Sequence, residues 1–143
     1  MKPAHGDRIA DERGSMAVEL ALLTVPIVVV LLFVVALGRF SDARNQVTEA
    51  ARDAARQAST YIAPSIATQQ ADQIADDDLS GVCAHHHTTV DTADLHPAGE
   101  VTVTVTCEVP VGDLLPLELP GTKTISATSS SVVDTYIQGA GNP

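Results

Sequence analysis

Hydrophobic residues are concentrated in one segment near the N-terminus. The segment covers residues 15–40, SMAVELALLTVPIVVVLLFVVALGRF, and no charged residue occurs between Leu20 and Gly38. As a helix, Ala17 to Gly38 would extend about 33 Å at 1.5 Å per residue, close to the bilayer hydrocarbon thickness of about 30 Å. A soluble helix that is apolar all round needs a large protein around it, and this chain has 143 residues. The pattern therefore predicts a membrane-spanning helix.

The residues after this segment continue the helical pattern with smaller side chains. Residues 41–63 are rich in Ala and contain neither Gly nor Pro, which favours one continuous helix. A stripe at near-heptad spacing consists of Phe40, Ala43, Val47, Ala50, Ala54 and Tyr61. The stripe is compatible with a solvated amphipathic helix and with a seam between subunits, and the pattern does not separate the two.

Alternation with a period of two predicts a small β-sheet in the C-terminal region. In residues 100–110, EVTVTVTCEVP, the valines and Cys107 fall on one face and the threonines on the other. A second strand is predicted over 122–133, a third short strand near Cys83 to Val90, and a short helix within 64–82. The predicted class is α+β: a long N-terminal helix with a membrane-spanning first half, and a small antiparallel β-containing exported domain.

These patterns divide the chain into four parts. They are a leader (1–14), a transmembrane segment (15–40), an amphipathic helix continuation (41–63) and a small exported domain (64–143). The exported domain has few large apolar side chains, so we expect it to be marginally stable alone. It would gain stability from a disulfide, from docking on the helix or from neighbouring subunits.

The chain has two cysteines, Cys83 and Cys107. One pair in an exported domain predicts a disulfide, whereas in a cytosolic protein the same pair would be expected as free thiols. Cys107 points with the valines, toward the side where a structural disulfide would lie. The bond would close a loop of roughly 25 residues and stabilise the domain by about 3–4 kcal/mol in the loop-entropy description.

Charge argues against a nucleic-acid partner. The chain has 8 Lys and Arg against 18 Asp and Glu, a net charge of −10, and after Arg56 its only basic residue other than His is Lys123. Phosphate contacts need clustered Lys and Arg. We therefore expect no nucleic-acid binding, and we expect the exported part to repel anionic lipid head groups.

No motif for catalysis or for a cofactor is visible. A Ser/His/Asp motif, a glycine-rich phosphate loop and metal-ligand spacing are all missing from the sequence, so we predict that the protein is not an enzyme. The tract His85-His86-His87, with His96, could invite a metal, but at most His85 and His87 would share one strand face. Residues 76–78, three aspartates, lack the alternating ligands of a calcium loop and predict a solvated acidic turn.

The most specific motif lies where the apolar segment begins. In RGSMAVELALLTVP a charged leader ends at Gly14, and Glu19 stands at the fifth position after it. A carboxylate inside a membrane costs about 2.5–3.5 kcal/mol at the helix centre and less near the interface. Glu19 could simply lie at head-group depth, near a helix N-terminus that favours an anion. Pro26 removes the hydrogen bond to the carbonyl of Leu22, which predicts a kink.

This junction resembles the N-terminus of type IV pilin-like proteins and, among them, the TadE-like pilus assembly family. The resemblance implies leader cleavage between Gly14 and Ser15 by a prepilin peptidase, and it makes Glu19 and Pro26 the family's Glu and Pro. The Ala-rich stretch AARDAARQAS is also similar, so the resemblance covers roughly residues 8–60. The chain departs from many major pilins, which have Phe or Met where Ser15 stands.

The resemblance implies a minor pilin or pseudopilin used in assembly of a Tad-type pilus. Its partners would be prepilin peptidase, other pilin-like subunits, the assembly machinery and the membrane. Glu19 would pair with the N-terminal amine of Ser15 in a neighbouring subunit, inside a low-dielectric bundle. The chain would span the membrane once, with the N-terminus cytoplasmic and the C-terminal domain extracytoplasmic. Charge counting does not set this orientation, because basic residues flank the span on both sides.

Two other interpretations remain open at this point. The apolar segment could be a secretory signal peptide, since Ala36 and Gly38 place small residues before a cut at Arg39. Its length exceeds the usual 7–15 apolar residues, and it contains a Glu near its start. Alternatively, the chain could be an uncleaved, membrane-anchored acidic domain that binds a partner. The start of the mature protein distinguishes all three.

Overall fold

The structure is a computed structural model that describes residues 7–114 and 120–136, and the side chains of residues 7–16 lie outside the described part. Two helices come first, and two strands, a short helix and a last strand follow. The elements are α1 (Asp7–Ala58), α2 (Pro64–Leu79), β1 (His85–Asp94), β2 (Glu100–Pro110), α3 (Val111–Leu114) and β3 (Thr122–Val132). A long N-terminal helix and a small antiparallel sheet confirm the predicted α+β class.

Helix α1 is continuous over 52 residues, which corresponds to about 78 Å. It begins at Asp7, so it includes the second half of the predicted leader and passes through Gly14 and Ser15. Pro26 lies inside the helix. Residues 1–6 of the predicted leader lie outside the described residues.

The helix ends at Ala58, five residues before the predicted end at residue 63. Side-chain hydroxyl groups account for the earlier end, because they donate hydrogen bonds to carbonyl oxygens in the last turn of the helix. The Ser59 hydroxyl donates to the carbonyl of Arg56 at 2.8 Å, and the Thr60 hydroxyl donates to that of Gln57 at 2.7 Å. Such local side-chain bonds compete with helix propagation.

Helix α2 folds back along α1 and packs against it through small side chains. Pro64 is its first residue, where a missing N–H costs nothing. The buried positions recur every four residues: Ala67, Ala71, Ala75 and Leu79. This spacing places one narrow, small-residue stripe of α2 on the alanine-rich face of α1, which allows close helix approach.

The sheet has the order β1-β2-β3, and both pairs are antiparallel. The alternation predicted for β2 is confirmed, because its inward positions are almost completely buried: Val101, Val103, Val105, Cys107 and Val109. Strand β1 extends to Asp94, beyond the predicted end at Val90, with a register shift between Asp91 and Asp94. The central strand thus presents one apolar face to the helices and one threonine face to solvent.

The turn between β1 and β2 requires a glycine. The amide of Gly99 donates to the carbonyl of His96 at 2.7 Å, while Ala98 adopts a positive φ of 64°. A Cβ at position 99 would collide with the backbone carbonyl oxygen of Asp94. The amide of Val133 donates to the Gly99 carbonyl at 2.9 Å, so the turn also holds the end of β3.

The stripe seen in the sequence forms the centre of the core. Ala43, Val47, Ala50 and Ala54 are 0–6% exposed, and Phe40 and Tyr61 pack against them at the margin. The stripe is therefore neither solvated nor open to another subunit: it is the surface on which the chain's own sheet and α2 pack. Below, residues 40–136 of the described part are called the head.

Candidate functional site

The first half of α1 exposes a long apolar surface that the head does not touch. Its large hydrophobic side chains range from 40% exposed at Leu32 to 70% exposed at Leu22. This is the one helix in the described residues that is long and apolar enough to cross a membrane. The most apolar 18-residue stretch of this helix has a mean hydropathy of 3.1, and none of its residues is buried.

Burial distinguishes this helix from an ordinary apolar core helix. A core helix of similar composition would be covered by the rest of its chain, whereas residues Val18 to Leu37 project beyond the head. An apolar surface of this size in water is strongly unfavourable. The helix therefore needs lipid or other apolar helices as its surroundings, as expected for single-pass membrane anchoring.

Glu19 and Pro26 lie on this surface. Glu19 is exposed at the N-terminal end of the apolar segment, outside the head. Because Pro26 has no N–H, the carbonyl of Leu22 receives no bond from that position. Two residues earlier in the helix, the hydroxyl of Thr24 donates to the carbonyl of Leu20 at 2.7 Å. The roles of Glu19 and of a kink at Pro26 stay predictions.

The leader junction lies in regular helix. The backbone of Gly14 and Ser15 belongs to α1, while their side chains lie outside the described part. Cleavage between them stays a prediction, and the helical backbone adds a requirement. A peptidase that binds its substrate in an extended conformation would have to unwind this turn first. Gly has a helix propensity about 1 kcal/mol poorer than Ala, so Gly14 lowers that cost.

The predicted disulfide is present in the head. Cys83 and Cys107 are bonded, with their Cα atoms 5.5 Å apart. The bond joins the segment after α2 to the central strand, and Cys107 is fully buried beside Ile125 on the neighbouring strand. The amide of Ala84 also donates to the carbonyl of Glu108 at 2.8 Å. Covalent and hydrogen bonds thus hold the entry to β1 against β2.

The histidine tract does not form a metal centre in the described residues. His85 and His87 are exposed on the outer face of the sheet, whereas His86 points inward. The Nε2 atom of His86 lies 3.9 Å from Oδ1 of Asp76 on α2. No group of three or more His, Cys, Asp or Glu side chains in the described residues converges on a common point.

His96 lies apart from the tract, in the turn that follows β1. The tract forms the first three positions of that strand, and its other seven residues separate the two by about 23 Å at 3.3 Å per residue. A hydrogen bond with the carbonyl of Pro97, then one with the carboxylate of Asp94, raise the pKa of His96. This histidine stabilises its own turn and shares no site with the tract.

The three aspartates lie in a helix and not in the turn that the sequence predicted. Helix α2 continues to Leu79, so Asp76, Asp77 and Asp78 belong to its last turn. All three are exposed, as expected. Partial burial, and then the nearby charges of Asp53 and Asp77, raise the pKa of Asp78. Carboxylates at a helix C-terminus also oppose the helix dipole, so this turn is locally strained by charge.

The sequence did not indicate a contact at the base of the head. Arg39, the first charge after the apolar segment, donates through Nη1 to the backbone carbonyl of Asp113 at 2.9 Å. The two residues lie 74 positions apart, so no local pattern could have paired them. They line a cavity of about 240 Å³, together with Asp42 and Gln46.

Comparisons with known proteins agree with the geometry of the long helix. Residues 14–56 match the family of TadE-like proteins. No curated protein and no solved structure matches the chain. The family match begins at Gly14, includes the whole exposed apolar surface and extends into the part of α1 that carries the head. The N-terminal segment of this chain, from the Gly14 junction to Arg56, is thus TadE-like, which confirms the resemblance of its junction to that pilus assembly family.

Proposed function

We propose that the protein is a minor pilin or pseudopilin-like subunit that is processed by prepilin peptidase and used to assemble a Tad-type pilus. One observation carries the proposal: the TadE-like segment contains an apolar half-helix that its own head leaves bare. A helix of this kind can exchange one apolar environment, the bilayer, for another, a bundle of sister helices. A subunit that moves from the membrane into a filament needs this property.

Removal of the leader would prepare that exchange. Before cleavage, Lys2, Arg8 and the acidic residues of the leader hold the N-terminus at the cytoplasmic face. After cleavage at Gly14, the helix begins with Ser15 and the charges that opposed its movement are gone. The helix can then leave the bilayer along its axis, because no other charge occurs before Arg39 except Glu19.

Glu19 would supply specificity in the bundle. Cleavage gives Ser15 a free α-amino group, and Glu19 lies four residues further along the same helix. In a bundle of low dielectric constant, this carboxylate and the amine of a neighbour attract each other far more strongly than in water. An unpaired carboxylate in the same place is strongly unfavourable. Pairing would therefore favour subunits that are axially staggered by one step.

The head supports an extracytoplasmic location. Its disulfide is typical of compartments that are oxidising, and rare in the cytosol. With one membrane helix between them, a head outside the cytoplasm requires a cytoplasmic N-terminus. This topology presents the leader junction to a peptidase at the inner face of the membrane.

N-terminal sequencing and intact-mass measurement of the membrane-extracted protein, with and without co-expressed prepilin peptidase, test the proposal. We expect a peptidase-dependent start at Ser15. A Gly14→Leu variant should keep its leader. The matched control is Gly38→Leu, since a side chain at Gly38 meets no atom within 4 Å and should leave processing unchanged.

Two results would contradict the proposal. A start at Arg39 that is blocked by Gly38→Leu would identify a secretory signal peptide, because the head packs only from Phe40 onward and would survive that cut. An intact Met1 in the presence of active peptidase would identify a plain membrane anchor.

A further inference from the structure

The head begins directly after the predicted membrane span. Exposed apolar side chains continue to Leu37, the first charge is Arg39, and Phe40 already packs against the head. No spacer therefore separates the predicted span from the head. Arg39 would stand at the depth where the hydrocarbon ends and the polar head groups begin.

A polar cavity opens at this level. It has a volume of about 240 Å³, below the range of about 300–1,000 Å³ of sites for drug-sized ligands, so it suits a small group. Its polar lining residues are Arg39, Asp42 and Gln46 on α1 and Asp113 on α3. Apolar residues of the head also line the cavity: Ala43, Val82, Val109 and Leu114.

The charges of the cavity define what it could bind. Arg39 donates one hydrogen bond to the backbone carbonyl of Asp113, which orients the guanidinium. The other N–H groups of the guanidinium remain available for a ligand. Asp42 and Asp113 are exposed, and ionised carboxylates accept hydrogen bonds only, so a ligand that contacts them must offer a donor, preferably a cationic one. A matching ligand therefore carries an anion for Arg39 and, a few ångströms away, a positive group with N–H donors.

We propose that this cavity binds the phosphoethanolamine head group of a membrane lipid, with its phosphate on Arg39 and its ammonium on Asp42 and Asp113. The proposal rests on the membrane span of the proposed function. A phosphoglycerol head group offers no cation to the two carboxylates and is repelled by a chain of net charge −10. A phosphocholine head group has a cation but no N–H donor, so it would bind more weakly.

Native mass spectrometry of the full chain, released from nanodiscs with equal parts of phosphatidylethanolamine, phosphatidylcholine and phosphatidylglycerol, tests this assignment. We expect the ethanolamine lipid to be retained on the order of tenfold more than either other lipid, equivalent to about 1.4 kcal/mol. Soluble phosphoethanolamine, added at the same concentration as the lipid, should not displace it, because the acyl chains hold the lipid at the cavity.

Substitutions inside and outside the cavity test whether the lipid binds there. Arg39→Gln should lower the retention of all three lipids, because each has a phosphate, whereas Arg44→Gln, at an exposed arginine outside the cavity, should leave retention unchanged. Asp42→Asn provides a second test in case Arg39→Gln disturbs the head: it keeps the size of the side chain and should reduce the preference for ethanolamine over choline. The melting temperature of each variant verifies that the head is folded.

Three results would overturn the proposal. They are equal retention of the three lipids, a retention and a preference that both cavity variants leave unchanged, and full displacement by soluble phosphoethanolamine, which would make the cavity a site for a soluble ligand. Failure of the chain to enter nanodiscs of any composition would instead overturn the proposed function, and this proposal with it.

Discussion

The two halves of helix α1 use hydrophobic residues in opposite ways. Up to Leu37 the helix exposes Val, Leu, Ile and Phe, whereas from Ala43 to Ala58 it buries a face that is almost entirely alanine. In a protein that folds wholly in water the large side chains would be inside. Here the large side chains face the outside and the small ones form the core.

The difference shows that the first half of α1 is suited to lipid and the second half to water. In lipid, contact between a large apolar side chain and its surroundings is favourable. In water, the same side chain must be buried by other parts of the protein. The alanine face gains little free energy from its own buried area, but its small side chains let α2 and the sheet approach α1 closely. One helix thus supplies an anchor and a scaffold, and each half can be altered separately.

The largest expected effect concerns assembly and comes from the exposed half. Glu19→Ala should nearly abolish incorporation into filaments while leaving membrane insertion and the stability of the head unchanged, because Glu19 lies outside the head. Filament yield in cells that lack the wild-type copy measures this. Glu49→Ala is the matched control on the other half: Glu49 is exposed, pairs with Arg52 at 3.4 Å and should be dispensable. Normal filaments from Glu19→Ala would refute the pairing.

The largest expected effect on stability comes from the disulfide of the sheet, which packs on the second half of α1. The double variant Cys83→Ala/Cys107→Ala should lower the free energy of unfolding of the head by about 2–5 kcal/mol, because the unfolded chain regains its freedom. Hydrogen exchange of β2 amides should accelerate accordingly, while the apolar half of α1 should exchange as before.

Reduction provides the control for this experiment. A reductant should destabilise the wild-type head by a similar amount and should have no effect on the double variant. Equal exchange in β2 with and without the disulfide would mean that packing on α1 alone holds the sheet.

The same substitution in the two halves should have different results. Ala54→Leu adds three carbons to a position that is 0% exposed, so we expect a loss of about 1–3 kcal/mol from overpacking of the head. Ala21→Leu adds them to an exposed position of the apolar half, where lipid accommodates them, and the head should be unaffected. Chemical unfolding of both variants in the same detergent measures the contrast. A comparable loss in both would mean that the halves are coupled.

The smallest expected effect is electrostatic and concerns the contact between α1 and α2. The pKa of Asp78 is raised in the folded protein, so the folded state binds its proton more readily than the unfolded state does. Asp78 therefore favours folding at low pH, and that contribution is lost as pH rises through the raised pKa. Near neutral pH the ionised carboxylate of Asp78 is a net cost, which partial burial and the charges of Asp53 and Asp77 impose.

Asp78→Asn should consequently raise the melting temperature slightly at pH 7, and the gain should vanish below about pH 3.8, the ordinary pKa of the carboxyl group. Asp72→Asn, on the same helix but outside that cluster, serves as the control and should show no such difference between the two pH values. A gain that is independent of pH would assign the effect to helix propensity.

Most of the elements could be predicted because their patterns are local. The strict alternation in β2 located that strand within its observed bounds and placed Cys107 on the buried face. The end of α1 was misjudged, since the hydroxyls of Ser59 and Thr60 compete for its last carbonyls and propensity alone does not weigh that competition. The aspartates were assigned to a turn, whereas α2 continues through them to Leu79, whose burial in the core depends on the tertiary structure.

By itself, the sequence determined that this chain has an apolar span of membrane length, a TadE-like junction, a valine-faced strand and one pair of cysteines. These properties depend on length, period and residue type, which are written along the chain. Only the tertiary structure decided that the alanine stripe is covered by the chain's own sheet and α2, and that Arg39 meets Asp113 at the base of the head. Both depend on which surfaces meet across long separations, and many sequences with the same local pattern could bury that stripe against another subunit instead.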